Sequence, residues 1–175
     1  WPVIIGVTGC GKTTVMQQVA EVLKNKNETI SFVSQTPYIY NDTLENNIFL
    51  GLEEKKRDKH LALDLLGLMG LDILTKEQDE LLSLEVGENG KRLSGGQAKR
   101  VCLIRSIISG ADYLLWDDPF SSVDLILEKE IIKRLKSLEL MRNKTVVLTS
   151  HRLSTVRFSD NVIFLKKEEG IIEEG

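Results

Sequence analysis

Short, mostly apolar runs recur along the chain, and segments with apolar residues at helical spacing lie between them. Such runs predict strands, and those at 113–116 and 145–149 are typical of buried strands. They occur at residues 3–5, 30–33, 113–116, 145–149 and 162–165. Strands that alternate with helices predict an α/β fold built on a mostly parallel sheet. A last apolar pair, 171–172, predicts a hairpin with 162–165 around a turn at 166–170.

Three longer segments predict helices that bury one face each. The first, residues 13–25, begins directly after a glycine-rich stretch. The second begins at Ser94, a good helix cap, and has its apolar face within 101–108. The third follows Asp124 and has its apolar positions within 126–135. Each of these helices lies next to a predicted strand, as the α/β pattern requires.

The stretch 41–82 differs from the rest because it has helical patterning and no clear strand. Its first helix could be capped by either Thr43 or Asp42. The predicted helices are residues 43–48, 61–69 and 72–82. We therefore predict a mainly helical subdomain inserted between two strands of the sheet.

The length of 175 residues is typical of one domain. We divide the domain 1–175 into a sheet core, residues 1–40 and 83–175, and the inserted subdomain, residues 41–82, which leads to residues 93–97. Both ends lie directly on predicted core elements, so we expect the chain to be part of a larger protein or domain.

A glycine-rich stretch after the first strand is the strongest chemical signal in the chain. Gly6, Gly11, Lys12 and Thr13 match the pattern G-x-x-x-x-G-K-[ST] between a predicted strand and a predicted helix. The backbone N–H groups of such a loop, together with the helix N-terminus, converge on one point and favour a polyphosphate there. The alternative is an ordinary glycine turn between strand and helix.

We call residues 6–14 the phosphate loop. Lys12 would add a full charge near the β- and γ-phosphates, and the hydroxyl of Thr13 would ligate Mg²⁺. The residues that we expect to hold the phosphates are Thr8, Gly9, Cys10, Gly11, Lys12, Thr13 and Thr14.

Further polar residues follow the other predicted strands. Asp117 and Asp118 come directly after residues 113–116, and two carboxylates at a strand end beside a phosphate loop predict a Mg²⁺ site. Gln35 and His151 also lie just past strand ends, where ligands bind in open α/β sheets. The alternatives are two acidic turn residues, a solvated loop glutamine and a structural histidine.

Residues 93–97, Leu-Ser-Gly-Gly-Gln, stand at the head of the second long helix. Ser94 and the glycines could present backbone N–H groups to an anion, which would make a second phosphate-binding point. The alternative is a glycine-rich helix cap that binds no ligand.

Composition and charge reduce the number of functions that the sequence allows. The net charge of −3 argues against a surface for DNA or RNA, so we expect no nucleic acid partner. The two cysteines, Cys10 and Cys102, form neither a metal-binding spacing nor a disulfide framework, which suits a reducing compartment. No apolar run approaches the ~20 residues that a membrane-spanning helix needs. A contribution from a membrane would therefore come from another segment or subunit.

Taken in order, these segments resemble the ATP-binding cassette family. The residues 93–97 match that family's signature, which is far more specific than a phosphate loop, and we call them the signature segment. Residues 41–51 and 86–90 look like those of exporters in the family. The resemblance covers nearly the whole chain and implies a nucleotide-binding domain with the ATP-binding cassette ATPase fold.

The resemblance also implies a mechanism and partners. Two such domains face each other head to tail and enclose two ATP molecules, each between one phosphate loop and the other domain's signature segment. Thr13, Gln35 and Asp117 would serve Mg²⁺, and Gln35 would also sense the γ-phosphate. His151 would contact the γ-phosphate and the attacking water. Asp124 would lie at the dimer seam. The signature residues that would reach the partner's ATP are Ser94, Gly95, Gly96 and Gln97.

In an exporter of this family, the domain would lie at the cytoplasmic face of a membrane. Transmembrane domains on the same chain or another subunit would convert ATP-driven closure into transport.

Three features depart from the family pattern. Asp118 stands where the family's catalytic glutamate is expected, so we predict weak hydrolysis, as in the multidrug-resistance-protein-like subfamily. Lys12 and Gln35 are only 35 − 12 = 23 positions apart, which is short for the family. The family's aromatic that stacks on adenine would lie ahead of Trp1.

Other functions remain open at the level of sequence. Asp118 is compatible with a regulatory half-site that binds ATP to hold a dimer shut with little turnover. A soluble family member that acts on DNA or ribosomes is disfavoured by the acidic charge and by residues 41–51. An unrelated phosphate-loop kinase would have no use for the signature segment.

Overall fold

The structure is a computed structural model that describes residues 1–77, 80–166 and 170–174. The strands are β1 (Pro2–Gly6), β2 (Ile30–Val33), β3 (Tyr113–Trp116), β4 (Thr145–Ser150), β5 (Asn161–Lys166) and β6 (Gly170–Glu174). The helices are α1 (Lys12–Asn25), α2 (Leu44–Ile48), α3 (Lys59–Leu68), α4 (Gly95–Ile108), α5 (Leu125–Ser137) and α6 (Leu153–Val156).

The strands form one sheet in the order β2-β3-β4-β1-β5-β6. The first five run parallel, and β6 pairs antiparallel with β5. The mostly parallel α/β sheet predicted from sequence is confirmed, as is the closing hairpin. Part of its predicted turn, residues 167–169, lies outside the described residues. Parallel pairing brings the carboxyl ends of β1, β2, β3 and β4 to one edge, where ligands bind in open α/β sheets.

The sheet core is packed around α1 on one side of β1. Ile4, Met16, Leu115 and Leu165 are buried together with Ala20. Since Met16 and Ala20 lie four residues apart on one helix face, α1 can bury this stripe against the sheet. This packing fixes the start of α1 relative to the end of β1, which sets the geometry of the phosphate loop.

The described chain forms two compact units. The first comprises Trp1–Gln35 and Ala111–Gly175, and contains the whole sheet. The second comprises Thr36–Gly110 and contains α2, α3 and α4. The second unit thus includes residues 36–40 and 83–110, which were predicted from sequence to belong to the sheet core.

One predicted helix is wrong. Within the described part of 72–82 the chain forms a short 3₁₀ helix at Asp72–Leu74 and turns near Leu82, while residues 78–79 lie outside the described residues. The carbonyl groups of Leu82 and Leu84 accept hydrogen bonds from the backbone N–H groups of Glu45 and Leu44. Those N–H groups belong to the first turn of α2 and have no partner within their own helix. The carbonyl groups near the end of this segment therefore accept hydrogen bonds from the first turn of α2, and the segment does not form a helix of its own.

No helix in the described ranges has both the length and the apolar character needed to cross a membrane.

Candidate active site

The phosphate loop connects β1 to α1 and leaves the start of the helix accessible to an anion. Gly11 precedes the helix with φ 99° and ψ 15°, a left-handed conformation that favours glycine. No side chain caps the N-terminus of α1, and its first turn carries no acidic residue. Unpaired N–H groups and the positive end of the helix dipole therefore face the loop, which fits a phosphate group.

The Lys12 ammonium lies against the phosphate loop. Its Nζ donates hydrogen bonds to the carbonyl oxygens of Gly6 (2.8 Å) and Val7 (3.0 Å) and lies 3.9 Å from Sγ of Cys10. These contacts hold the charge over the loop that carries the backbone N–H groups. The positive charge and the helix dipole thus act on the same volume.

Gly6 has no room for a side chain. A Cβ atom at this position would lie 2.5 Å from the carbonyl oxygen of Leu165 and 2.6 Å from Sγ of Cys10. Any larger residue would push the phosphate loop away from β5. The first glycine of the motif therefore serves close packing between the loop and the sheet.

Three oxygen-bearing side chains meet between α1, β3 and β4. The hydroxyl of Thr13 donates to Oδ2 of Asp117 (2.7 Å), and the hydroxyl of Thr149 donates to Oδ1 of the same carboxylate (2.6 Å). Asp117 is only 2% exposed, so these bonds hold it in one orientation. A hydroxyl and a carboxylate are hard oxygen ligands that suit Mg²⁺. Water molecules and phosphate oxygens usually complete the coordination shell of this ion. Thr13 and Asp117 therefore fit the predicted metal.

Asp118 and His151 form a pair beside this cluster. Nδ1 of His151 lies 3.3 Å from Oδ2 of Asp118. The backbone N–H of Asp118 donates to the Thr149 hydroxyl (2.8 Å), and Asp118 has φ 47°, a left-handed conformation that aspartate tolerates better than most residues. The His151 side chain is half-exposed and that of Asp118 is largely buried, so the pair borders solvent where a water could be held.

A cavity of about 370 Å³ joins these groups within the first unit. Its lining residues are Thr8, Gly9, Gly11, Lys12, Thr13, Thr14, Gln35, Asp117, Asp118 and His151. Every one of them was a candidate from sequence. Cys10 is not in the lining, because its side chain packs towards Gly6 and Lys12.

The signature segment belongs to the second unit and begins α4. The backbone N–H of Gln97 donates to the Ser94 hydroxyl (3.2 Å), and the Ser94 N–H donates to Oε1 of Gln97 (2.7 Å), which forms a capping box. Ser94 and Gly95 are exposed, whereas Gly96 is buried. The predicted cap at Ser94 is confirmed, and the exposed end of the helix is available to another molecule.

Sequence reasoning missed three residues that organise the site. Thr149 orients Asp117 and Asp118, and Arg152 binds the loop after Asp118 together with the buried Glu128. The available signals were weak: a threonine at the end of a strand, and an arginine directly after His151. Contacts made by such residues depend on how β3, β4 and α5 pack.

Both cysteines are free thiols. Burial raises the pKa of the Cys102 thiol within α4. Cys102 therefore has little thiolate character and is expected to be unreactive.

A family model described as ABC transporter matches residues 1–121. ABC transporter C family member 6 of Dictyostelium discoideum is 33% identical over 184 residues, which cover 97% of this chain and 13% of the relative. The ATP-dependent lipid A-core flippase of Vibrio parahaemolyticus is 34% identical over 153 residues, covering 87% of this chain and 26% of the relative.

A solved structure of a bacterial Atm1-family ABC exporter with ATP bound superimposes with a TM-score of 0.81. It is 22% identical and covers 99% of this chain and 33% of that one, which shows a common fold. The chain spans only about 13% of the length of the Dictyostelium relative.

Proposed function

The chain belongs to the ABC transporter family as a nucleotide-binding domain, and from that premise we propose that it drives export by binding and slowly hydrolysing Mg-ATP. The observation that carries this proposal is the single cavity in which the phosphate loop, the Thr13–Asp117 pair and the Asp118–His151 pair meet. A binding module without hydrolysis would have no need for the last pair.

Each part of the cavity has a role in phosphoryl transfer. The loop N–H groups and Lys12 would hold the β- and γ-phosphates, and Thr13, Asp117 and Gln35 would hold Mg²⁺. When bound, Mg²⁺ neutralises charge on the phosphate oxygens. Catalysis otherwise consists of positioning the attacking water and stabilising charge.

Asp118 and His151 act on the water. The Asp118 carboxylate accepts the proton that the water loses as its oxygen attacks the γ-phosphorus, and the bond to the leaving ADP oxygen breaks. His151 holds Asp118 through the 3.3 Å contact, and it would contact the γ-phosphate and the attacking water. Asp118 has one methylene fewer than glutamate, so its reach to the water is shorter and hydrolysis is slow.

The second half of each site comes from a partner domain. Ser94, Gly95, Gly96 and Gln97 contact the γ-phosphate bound by the partner, and Asp124 lies at the seam. The exposed Ser94 and Gly95 and the positive N-terminus of α4 support this role. Bound ATP then favours the closed dimer, and hydrolysis allows the dimer to open. The reaction thus shifts the equilibrium between the open and closed states.

Transmembrane domains, in the same polypeptide or in another subunit, couple this cycle to export. The domain works at the cytoplasmic face of the membrane. The similarity to an ABC transporter C family member and to an ATP-dependent lipid A-core flippase over most of the chain supports this placement.

A second function is a regulatory half-site that closes on ATP with little turnover. The aspartate at position 118 favours it, because a shortened base lowers hydrolysis without weakening phosphate binding. Tight ATP-dependent pairing with no hydrolysis above background would distinguish this function from a slow ATPase that drives export.

Lys12→Met is expected to weaken ATP binding by about tenfold to a hundredfold, the equivalent of one charge-assisted hydrogen bond. The change keeps the aliphatic stem and removes the ammonium that lies over the phosphate loop. Titration of the complete protein with a fluorescent ATP analogue measures the dissociation constant.

Lys24→Met is the matched control, since Lys24 is an exposed lysine near the other end of α1. It should leave the affinity unchanged. An unchanged affinity in Lys12→Met would contradict the phosphate site.

A further inference from the structure

Arg152 binds the loop that follows Asp118. Its guanidinium donates to the carbonyl oxygens of Ser121 (2.8 Å) and Val123 (2.7 Å). Arg152 directly follows His151, which contacts Asp118 at 3.3 Å. Two consecutive residues after β4 therefore hold the same loop at two points, one at its start and one near its end.

Glu128 keeps the Arg152 side chain in place. Its carboxylate is fully buried, and Oε2 accepts from the guanidinium of Arg152 at 2.8 Å. The other oxygen accepts from the hydroxyls of Thr155 (2.6 Å) and Ser154 (3.3 Å). A buried carboxylate is strongly destabilising unless it is paired and hydrogen-bonded, so this arrangement has one favourable geometry.

The backbone of Arg152 is held as well. Its N–H donates to the Ser150 hydroxyl at 3.0 Å, and that hydroxyl lies 3.0 Å from Oγ1 of Thr155. The bonds therefore form a closed network from the end of β4 through α6 to α5. A shift of Arg152 would be transmitted to His151 through the backbone and to the loop through its side chain.

The hydrogen bonds within the loop of residues 119–124 do not themselves reach β4. Ser121 N–H donates to the Asp118 carbonyl at 3.4 Å, and Val123 N–H donates to the Phe120 carbonyl at 3.0 Å. Asp124 then caps α5 by accepting from the N–H groups of Ile126 and Leu127. Arg152 connects this loop to the segment directly after β4, which also carries His151.

We propose that Arg152, held by Glu128, is a positioning residue for ATP hydrolysis that sets the orientation of Asp118 relative to His151. This inference rests on the proposed function. We infer in addition that the loop of residues 119–124 and the Asp118–His151 pair move together. This loop ends at Asp124, the residue expected at the dimer seam. A disturbance at Asp124 would then change the geometry at the attacking water.

Arg152→Met is expected to lower the single-turnover rate of ATP hydrolysis by about tenfold or more, because small misplacements of reacting groups are costly. The dissociation constant for ATP should stay unchanged, since Arg152 does not line the phosphate cavity. Arg152→Lys keeps the charge near Glu128 and should recover part of the rate. The assay uses the complete protein with its partner domain.

Arg134→Met is the matched control. Arg134 lies on α5 and makes an exposed contact of 3.5 Å with Glu130, so its loss should leave rate and affinity unchanged. If Arg152→Met does not fold, Glu128→Gln supplies the test. This change keeps the side-chain shape and removes the charge that holds Arg152, and it should lower the rate without altering ATP affinity.

A double-mutant comparison separates positioning from general stability. In a His151→Ala background, Arg152→Met should have little further effect on the single-turnover rate, since both act through the placement of Asp118. Full additivity, or a native rate in Arg152→Met, would overturn the inference. Failure of the native protein to bind or hydrolyse ATP would instead overturn the proposed function.

Discussion

Asp118→Glu is expected to raise the rate of ATP hydrolysis by about a hundredfold, the lower end of what a well-placed general base contributes. The longer side chain brings the carboxylate closer to the water that attacks the γ-phosphate. Thr149 and His151 are already in position to hold the backbone and the carboxylate at this site. Phosphate release by the complete protein, with a competent partner domain, measures the change.

Asp118→Asn and Asp117→Glu are the matched controls for this substitution. Asp118→Asn keeps the shape, removes the base and should abolish the residual rate. Asp117→Glu should lower the rate, since its carboxylate is held by Thr13 and Thr149 at 2.7 and 2.6 Å and has no room to extend. An unchanged rate in both Asp118 variants would show that Asp118 has no part in the reaction.

Ser94→Arg is expected to abolish ATP-driven pairing of the two domains. It should also reduce hydrolysis by at least about a hundredfold, which is the usual effect of losing one preorganised group of hydrogen-bond donors to the reacting group. A long cation would replace the small exposed hydroxyl that caps α4. ATP binding to the phosphate loop of the same chain should be unaffected, because Ser94 does not line that cavity. Analytical ultracentrifugation with and without ATP measures pairing.

Two variants separate this effect from helix stability. Ser94→Ala removes the cap and is expected to cost about 1 kcal/mol of stability without blocking the surface. Ser109→Arg puts the same side chain at the other end of α4, where Ser109 is exposed, and should leave pairing intact. Loss of ATP binding in Ser94→Arg, with normal folding, would show that the signature segment does not act on a partner's nucleotide.

These two predictions test the two halves of the proposed ATP site, the phosphate loop side and the signature segment side. Asp118 belongs to the unit that carries the phosphate loop, whereas Ser94 belongs to the unit Thr36–Gly110. A protein in which only the first prediction holds would hydrolyse ATP without the signature segment. A protein in which only the second holds would be the regulatory half-site.

Local patterns were sufficient for most of the sheet and its helices. Residues 113–116 were predicted as a buried strand and form β3 with those bounds, because a short apolar run between polar turns leaves few alternatives. Ser94 was predicted as a cap because serine is a preferred cap residue, and in the structure it forms a capping box with Gln97 that needs no distant partner. Such signals lie within a few residues of each other.

The error at 72–82 has a physical reason of the opposite kind. Its apolar residues suggested a helix, but the backbone near Leu82 and Leu84 is used by the first turn of α2. Hydrogen bonds between segments about 40 residues apart leave no trace in local periodicity. Propensity was overridden by tertiary contacts, as is common for short segments.

The sequence by itself determined the alternation of strands and helices, the phosphate loop and the set of polar residues at strand ends, because each depends on neighbours in the chain. Only the tertiary structure decided which oxygens meet. Thr13 contacts Asp117 across 104 positions, and Arg152 holds Glu128 across 24 and Ser121 across 31. Such distances depend on strand order and packing, which no local pattern encodes.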